Sequence, residues 1–439
     1  MLPDYAAGLE WLESHIDYER AQTVPYAAMR PAVVFRLADL LGRPQERFSA
    51  FHIAGTKGKG STSAYIESAL VAMRIPTGAY RSPHVVDVRE RITINGKPVD
   101  EEALLSAWRR TAEVEERVGE RLTYFEIMTA AALLVHADAA VRLAAWEVGI
   151  GGRLDATRRV NAAVCVITPI SVDHTDKLGE TLASIAAEKC GILRPGVPVV
   201  VGPQPPEALE VILHEAKRLD APVFLFSEDF SLEDREDGFS VEAGGECFEG
   251  LRIRMAGRHQ RENAATAVAA LRVAAEAGLI PRPGPEAVRA GLAAAWLPGR
   301  SEVLRTSPAL ILDGAHNDAS LVAALRTVEE AFSPRRLQVL FACAADKELS
   351  RMAAVLREAG VAVRATTYPH PRAAAAGRVA EALRAAGVEV VSTGPPEEEL
   401  ESALATSGEE DAVLVCGSFY LVSHLRARLL PRSGGRGGA

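Results

Sequence analysis

A glycine-rich stretch with a central lysine, residues 51–62 (FHIAGTKGKGST), combines the residue types that hold phosphate. Glycines let the backbone approach an anion and point its N–H groups inward, and Lys59 can reach the outer phosphates. Ser61 or Thr62 could meet a magnesium ion. The spacing is irregular, because Ile53 stands where the general phosphate-loop pattern has its first glycine and Gly60 follows the lysine. A tight turn that binds nothing is the alternative, but the flanking strand and helix patterns favour a nucleotide site.

Two polar residues follow predicted buried strands, where open α/β sheets place their ligands. Glu147 ends the strand predicted at 143–148, and its carboxylate could bind magnesium beside the phosphates. Alternatively, Glu147 pairs with Arg153 or another nearby cation. His174 follows the strand predicted at 164–168 and is flanked by acidic residues. A loop histidine is usually only solvated, but this position makes His174 a candidate site residue.

Lys189 lies on an apolar helix face. In the helix predicted at 181–189, it shares that face with Leu182, Ile185 and Ala186. A buried lysine is costly unless it is paired or neutralised, so the side chain could instead extend to the surface or pair with a carboxylate. The sharper hypothesis is carbamylation by CO₂, which would convert the amine into a carboxylate able to hold a second metal ion.

Three later residues could contact a nucleotide. Asn263 lies in a donor-rich helix start and suits a hydrogen bond to adenine or phosphate. Arg300 lies at the break between the two predicted domains, from which it could reach a nucleotide. Asp313 follows a predicted strand, where a carboxylate can accept hydrogen bonds from ribose hydroxyls. A linker salt bridge or a capped turn would explain each of these residues equally well.

Alternating strands and helices must position these residues, and they predict an α/β fold whose parallel sheet has helices on both faces. The alternation breaks at 224–255, which we interpret as a β-hairpin insertion or sheet extension, and again at 296–301. We therefore predict two domains, residues 1–298 and 299–430, and a disordered tail at 431–439. The active site is expected in the cleft between the domains, at the carboxyl ends of the strands.

Composition narrows the class of protein. The 439 residues are 48% hydrophobic and 24% charged, as in ordinary globular proteins. A formal net charge of -9 argues against a nucleic-acid or anionic-membrane partner. The five cysteines form no C-x-x-C pair, which fits a reducing cytoplasm without disulfides or a zinc site. We see no signal peptide and no apolar run long enough to span a bilayer, and we expect a cytoplasmic monomer.

Ordered motifs along nearly the whole chain resemble folylpolyglutamate synthase and dihydrofolate synthase, members of the Mur ligase superfamily. This resemblance implies a P-loop-containing, Mur-ligase-like N-terminal domain with a mostly parallel sheet and a smaller Rossmann-like C-terminal α/β domain. The matching segments are 55–62, 82–84, 88–92, 122–126, 147–157, 173–175, 188–189, 259–263, 297–300, 313–317 and 417–422.

The resemblance also implies a reaction. ATP and Mg²⁺ would phosphorylate a carboxylate of a folate or dihydropteroate, and the amine of L-glutamate would then attack the acyl phosphate. Such phosphoryl transfer works by positioning and charge neutralisation, so no protein nucleophile is required. The implied partners are these small molecules alone.

Site residues follow from the same resemblance. Lys59, His174 and Lys189 match catalytic residues. The first metal site of the family matches Ser82, Glu147 and His174. Lys189 matches a carbamylated lysine near a second metal. Ser61 would then contact the phosphates rather than the metal. The implied ATP contacts are Gly55, Thr56, Gly58, Lys59, Gly60, Ser61, Thr62, Asn263, Arg300, Asp313 and His316. The implied pterin-side residues are Thr123, Tyr124, Phe125, Leu154, Asp155 and Ala156.

Some segments depart from the family pattern. Lys57 stands where many bacterial relatives have asparagine, and residues 23–26 and 341–348 match poorly. Two other functions are weighed against the folate ligase. One is a Mur-type ligase acting on a cell-wall precursor, which the segments 122–126 and 151–157 disfavour. The other is a nucleotide-gated regulatory protein without catalysis, which the intact Lys59, Glu147, His174 and Lys189 disfavour.

Overall fold

The computed structural model describes residues 2–17, 29–173, 175–236, 238–345 and 349–429. His174, the poorly matching loop at 23–26 and the predicted tail at 431–439 lie outside these residues. The chain divides into two compact units. The first comprises Met1–His84, Val88–Arg254 and Gln260–Trp296, and the second comprises Val85–Asp87, Met255–His259 and Leu297–Ala439.

An eight-stranded sheet forms the centre of the first unit, in the order β4-β3-β2-β5-β1-β6-β7-β8. Six strands are parallel, whereas β3 and β4 form an antiparallel hairpin on one edge. The strands are β1 (Ser49–Ala54), β2 (Thr77–Tyr80), β3 (Ile92–Ile94), β4 (Lys97–Pro98), β5 (Leu143–Glu147), β6 (Ala162–Ile167), β7 (Val199–Val201) and β8 (Val223–Leu225).

Helices cover both faces of this sheet, as predicted. Successive side chains of a strand point to opposite faces of the sheet. On one face, Trp146 of β5 is buried in a cluster with residues of the helix 124–138, and Ile167 of β6 is buried in a cluster with residues of the helices 182–189 and 206–218. Phe51 and Ile53 of β1 point to the opposite face and are also fully buried, where α3 packs. The helices up to residue 294 are α1 (Tyr5–Glu13), α2 (Pro31–Leu40), α3 (Lys59–Ala72), α4 (Glu101–Val118), α5 (Tyr124–Asp138), α6 (Thr175–Leu178), α7 (Leu182–Lys189), α8 (Pro206–Arg218), α9 (Arg258–Glu276) and α10 (Pro285–Ala294).

The segment 224–255 contains both of the features considered for it. Val223–Leu225 extends the main sheet as its eighth strand. The following residues form a separate antiparallel sheet of three strands, β9 (Phe230–Arg235), β10 (Gly238–Ala243) and β11 (Glu246–Leu251).

The second unit contains a six-stranded sheet in the order β12-β13-β17-β14-β15-β16, parallel except for β12 at one edge. Buried clusters lie on its two faces, one with α11, α12 and α13 and the other with α14 and α15. The elements are β12 (Glu302–Thr306), β13 (Ala309–Leu312), α11 (Asp318–Phe332), β14 (Leu337–Phe341), α12 (Leu349–Glu358), β15 (Ala362–Ala365), α13 (Ala376–Ala385), β16 (Val390–Thr393), α14 (Pro396–Ala405), β17 (Ala412–Cys416) and α15 (Phe419–Leu429).

The predicted α/β class, with a large and mostly parallel sheet followed by a smaller α/β unit, is confirmed. The helix α8 and the edge strand β12 were not predicted. Among the described residues, no helix combines the length and the apolar character that crossing a membrane requires.

Candidate active site

The glycine-rich loop joins the carboxyl end of β1 to α3, which begins at Lys59. Gly58 precedes the helix with a φ of 82°, in the left-handed region that favours glycine. An α-helix leaves its first N–H groups without intrahelical partners, and its dipole adds positive potential there. The turn containing Gly60, Ser61 and Thr62 is therefore a suitable phosphate site.

Two glycines of this loop allow other segments to approach closely. A β-carbon at Gly55 would lie 1.9 Å from Oγ1 of Thr168, and one at Gly58 would lie 2.2 Å from Oδ1 of Asn263. Neither position accepts a side chain without movement of its neighbour. The second contact also brings Asn263, which is distant in sequence, directly against the loop, as expected for a shared nucleotide site.

Thr56 and Lys57 anchor the loop to the segment that follows β6. Their backbone N–H groups both donate to the carbonyl oxygen of Pro169, at 3.0 and 3.1 Å. Thr56 Oγ1 donates to the Ser171 carbonyl and accepts from its N–H, both at 3.1 Å. Lys57 Nζ forms an ion pair with Asp173 Oδ2 at 3.0 Å. These groups are bonded within the protein, so Thr56 acts here as an anchor of the loop.

The buried amine of Lys189 lies at this loop. Lys189 is 4% exposed, and its Nζ donates to the Gly55 carbonyl at 2.7 Å. Burial is the main reason that the pKa of Lys189 falls from 10.5 to about 7. The charge of Lys59 lowers the pKa further, whereas Asp173 opposes the shift. Lys59 Nζ itself lies 3.4 Å from the Thr56 carbonyl.

This geometry excludes one of the alternatives for Lys189. Its side chain does not extend to the surface, and the predicted burial is confirmed. A pKa near 7 leaves a substantial neutral fraction of the amine at neutral pH. The neutral amine is the form that can react with CO₂, so the site is compatible with carbamylation.

Ser82 and Glu147 meet where the neighbouring parallel strands β2 and β5 end. The Ser82 N–H donates to Glu147 Oε2 at 3.3 Å, and Glu147 is 4% exposed. Arg153 contacts Glu188 instead, with a distance of 3.5 Å between Nε and Oε1. The alternative in which Arg153 neutralises Glu147 is therefore wrong.

A hydroxyl and a carboxylate are oxygen ligands of the kind that Mg²⁺ prefers, so Ser82 and Glu147 fit a divalent cation. Their expected partner His174 lies outside the described residues. Within the described part of the chain, no group of three or more His, Cys, Asp or Glu side chains gathers as a metal site. Metal binding at Ser82, Glu147, His174 and Lys189 stays a prediction.

Arg81, which the sequence did not single out, fixes the loop that carries Ser82. Its guanidinium donates to Ser63 Oγ at 3.0 Å and pairs with Glu67 at 2.5 Å, and both partners lie on α3. Thr93 of β3 donates to the other carboxylate oxygen of Glu67 at 2.6 Å. The helix that follows the phosphate loop therefore also orients the predicted metal-binding loop.

Most of the predicted pterin-side residues line one pocket of the first unit. Thr123 caps α5, and its side chain and that of Glu126 bond each other's backbone N–H groups. Phe125 faces Gly149 so closely that a β-carbon there would lie 2.6 Å from the ring. The lining residues are Met29, Arg30, Thr123, Phe125, Glu126, Gly149, Ile150, Leu154, Asp155 and Ala156.

Glu126 and Arg30 also line this pocket, although neither was among the predicted substrate-side residues. Glu126 is 6% exposed, and burial raises the pKa of its carboxyl. Arg30 Nη2 lies 3.4 Å from Glu126 Oε2. The T-x-x-E spacing of Thr123 and Glu126 is a capping-box signal that could have identified the carboxylate, whereas Arg30 belongs to no recognisable pattern.

Tyr124 does not belong with the other pocket residues. It is 3% exposed, packs in the core of the first unit, and its ring lies 5.2 Å below the guanidinium of Arg91. Consecutive helical residues point about 100° apart, so Thr123 and Phe125 can face the pocket while Tyr124 does not. Tyr124 as a substrate contact stays a prediction.

In the second unit, Arg300, Asp313 and His316 gather around Phe419 and the end of β13. The Arg300 guanidinium lies 4.3 Å from the Phe419 ring centroid, and the His316 ring lies 6.1 Å from it. Asp313 accepts hydrogen bonds from Ser301 N at 2.8 Å and Ala315 N at 2.8 Å. His316 Nδ1 lies 2.8 Å from the Gly314 carbonyl and must donate to it.

Comparisons with known proteins match both units to Mur ligases. The Mur ligase middle domain matches residues 53–271, and the Mur ligase glutamate ligase domain matches residues 299–419. The dihydrofolate synthase/folylpolyglutamate synthase of Bacillus subtilis is 35% identical over 399 residues, which are 89% of this chain and 92% of that protein.

Solved structures agree with this assignment. The structure of E. coli FolC in complex with DHPP and ADP has a TM-score of 0.85 at 30% identity and covers 97% of both chains. The Yersinia pestis bifunctional folylpolyglutamate synthase/dihydrofolate synthase complexed with AMPPNP and Mn has a TM-score of 0.84 at 32% identity, covering 97% of this chain and 98% of that one. The chain therefore belongs to the folylpolyglutamate synthase/dihydrofolate synthase family of Mur ligases. This membership favours a folate substrate over the cell-wall alternative.

Proposed function

We propose that this chain is an ATP-dependent ligase that adds L-glutamate to folates, and also to dihydropteroate, through an acyl phosphate. The observation that carries the proposal is the bond from the buried Lys189 amine to the carbonyl of Gly55 in the phosphate loop. It brings a lysine with a pKa of about 7 to the place where a nucleotide phosphate would lie.

The reaction balances without a protein nucleophile. The γ-phosphoryl group of ATP passes to a substrate carboxylate, which gives ADP and an acyl phosphate. The glutamate amine then attacks the acyl carbon, and inorganic phosphate leaves as the amide forms. A divalent cation, when bound, neutralises charge on the phosphates. The chain's own residues hold and orient the reactants.

We assign the phosphates to the loop of Gly55, Gly58, Lys59 and Gly60 and to the first turn of α3, with Ser61 and Thr62. Asn263, which touches the loop, supports this assignment. Arg300, Asp313 and His316 stay proposed nucleotide contacts because of their motifs. Ser82, Glu147, His174 and Lys189 are the proposed metal-binding residues, and Thr123, Tyr124, Phe125, Leu154, Asp155 and Ala156 the proposed substrate-side residues.

We propose further that Lys189 acts as a carbamate. Lys189→Ala should cripple turnover while leaving ADP affinity within about twofold, because the side chain bonds the loop only through Gly55. Acetate or bicarbonate should restore part of the activity of this variant. Near-normal turnover of Lys189→Ala in CO₂-free buffer would contradict the carbamate.

The chain is proposed to work in the cytoplasm as a monomer. The absence of disulfides among its five cysteines, all of which are free thiols, supports a reducing compartment. Sedimentation of the purified protein would test the oligomeric state.

The deciding experiment measures phosphate release with ATP, Mg²⁺ and L-glutamate against a panel of dihydropteroate, dihydrofolate and tetrahydrofolate. Release should require both glutamate and a pteroate substrate, and the product should be heavier by one glutamate residue. Lys59→Met is the matched loss-of-function control, and exposed Lys97→Met the matched neutral one. Without release on any substrate, the proposed function is wrong.

A further inference from the structure

A buried chain of polar side chains connects β1 to the wall of the substrate pocket. His52, on β1 and three residues before Gly55, is fully buried, and its Nε2 lies 3.0 Å from Thr157 Oγ1. Thr157 Oγ1 in turn donates to Asp155 Oδ1 at 2.5 Å, and the Thr157 N–H donates to the same oxygen at 2.9 Å. Thr157 is also fully buried, and Asp155 is 2% exposed.

The direction of each hydrogen bond follows from the number of donor protons. Thr157 Oγ1 has a single hydroxyl proton and donates it to Asp155 Oδ1. Thr157 Oγ1 must then accept from His52, which requires the proton on Nε2. The remaining nitrogen, Nδ1, is buried and has no hydrogen-bond partner among the described residues. A buried N–H without an acceptor is costly, so Nδ1 is better assigned as the unprotonated nitrogen. Burial, and then Arg194 and Arg158, lowers the pKa of His52 well below its usual value, so the ring is neutral.

Asp155 uses its other oxygen to hold the pocket wall. Oδ2 accepts from the Ile150 N–H at 3.0 Å, next to Gly149 in the chain. Gly149 and Ile150 line the pocket, and Gly149 faces the Phe125 ring. With these internal donors, Asp155 helps to shape the pocket wall.

We propose that His52 and Thr157 are positioning residues that, through Asp155, hold Gly149 and Ile150 in the shape that accepts the flat heterocycle of the pteroyl substrate. This inference rests on the proposed function, since it concerns the pocket assigned to that substrate. Among the residues that the structure describes, His52 is not part of the pocket lining. It acts by fixing the hydroxyl of Thr157 toward Asp155.

The test compares variants that keep volume but change hydrogen bonding. Thr157→Val removes the hydroxyl and should raise KM for the pteroyl substrate about tenfold, the effect of losing roughly one hydrogen bond to a charged group. Thr157→Ser keeps the hydroxyl and should stay within about twofold of the natural protein. His52→Leu should resemble Thr157→Val, and His52→Gln, whose amide can donate in place of Nε2, should restore much of the loss.

A double variant separates a connected chain of bonds from two independent defects. His52→Leu combined with Thr157→Val should raise the pteroyl KM no further than either single change, because both break the same chain of bonds. KM for ATP should stay within about twofold in every variant. His136 offers a matched control because it is equally buried. It accepts a hydrogen bond from Trp146 Nε1 at 3.1 Å and is not connected to Thr157 or Asp155 by a hydrogen bond among the described residues. His136→Gln should leave the pteroyl KM unchanged even where it lowers stability.

Three results would overturn the inference. The first is an unchanged pteroyl KM in Thr157→Val, even if the melting temperature falls. The second is a double variant whose effect is the product of the single effects, and the third is an equal rise of KM for ATP. A failure of the proposed function would appear differently, as a natural protein that turns over no pteroyl substrate at all.

Discussion

The amine of Lys189 is buried and lies near Lys57 and Lys59. This arrangement makes the stability of the fold depend on pH. The unfolded chain keeps the Lys189 proton up to a pH near 10.5, whereas the folded chain loses it near 7. Between these values the unfolded chain binds more protons, so the free energy of unfolding rises with pH, by up to about 1.4 kcal/mol per unit.

We expect Lys189→Met to remove this dependence. Between about pH 7 and pH 9, the natural protein should gain on the order of 2 kcal/mol relative to the variant, because deprotonation relieves the buried charge. Urea unfolding in CO₂-free buffer at the two pH values would measure the difference. Lys97→Met, at an exposed position, should follow the natural protein. A variant that gains as much stability with pH as the natural protein would show that Lys189 titrates normally.

Side-chain burial was predictable for Lys189 but not for Tyr124. Lys189 follows three apolar residues at helical spacing, so its face could be derived from the pattern alone. Tyr124 lies between two pocket residues of one motif, and a motif does not say to which side each residue points. The network around His52 was equally hidden, because His52 and Thr157 meet only when β1 and the segment after β5 are folded together.

At the scale of elements, the phosphate loop depends on its bonds to the segment after β6. Thr56→Val removes both hydroxyl bonds to Ser171 and should lower the free energy of unfolding by about 1–3 kcal/mol. Thr56→Ser keeps the hydroxyl and should lose much less. Denaturant unfolding followed by tryptophan fluorescence would measure this, since all four tryptophans lie in the first unit.

Nucleotide affinity distinguishes this anchoring role from direct phosphate binding. If Thr56 contacts the phosphates instead, Thr56→Val should weaken ADP binding at least tenfold with little loss of stability. That outcome would contradict the role of anchor.

The pocket wall gives a second prediction at this scale. Gly149→Ala should raise KM for the pteroyl substrate, because the added methyl group would lie 2.6 Å from Phe125 Cζ and must displace that ring. KM for ATP should not change. Gly377→Ala, where a β-carbon meets nothing within 4 Å, is the matched control and should leave both constants unchanged. Steady-state kinetics with each substrate varied in turn would decide, and equal constants for Gly149→Ala would show that the ring moves freely.

Most elements could be predicted because their periodicity is strong and their ends carry recognisable signals. The buried strands β1, β5 and β6 and the helix α4, with its Asp100 cap, are examples. The helix α8 begins at Pro206 among several prolines, which usually indicate a loop, although Ala208, Ile212 and Ala216 form its buried stripe. The edge strand β12 is half exposed and short, so it lacks a clear alternation.

At the scale of the whole molecule, the break at 296–301 could be predicted from a Pro-Gly dipeptide and a restart of the alternation. The units meet there in sequence, between Trp296 and Leu297. The sequence does not indicate that Val85–Asp87 and Met255–His259 also belong to the second unit. Such short segments carry no element of their own, and only the folded contacts assign them.

Val85 illustrates the contribution of such a segment. It is 8% exposed and packs in the same cluster as Leu421, Val422 and Leu425, and Ser423 Oγ donates to its carbonyl. Val85→Ala should therefore destabilise the second unit by about 1–3 kcal/mol, the cost of removing buried methyl groups. Hydrogen exchange should accelerate in β13 and β17. The neighbouring Val86→Ala, at a position 38% exposed, should have little effect. Acceleration confined to the first unit would contradict this assignment.

The interleaving of the two units also limits how such a gene can be rearranged. The chain passes from one unit to the other at 84/85, 87/88, 254/255, 259/260 and 296/297. Recombination at any one of the last four points would combine the long C-terminal part of the second unit from one parent with one or both of its short inner segments from the other. A chimera joined at 296/297 would pair a foreign α15 with the resident Val85. Recombination between relatives should therefore give a stable protein only when all three segments of the second unit come from the same parent. We therefore expect the two units to be inherited together rather than exchanged as independent domains.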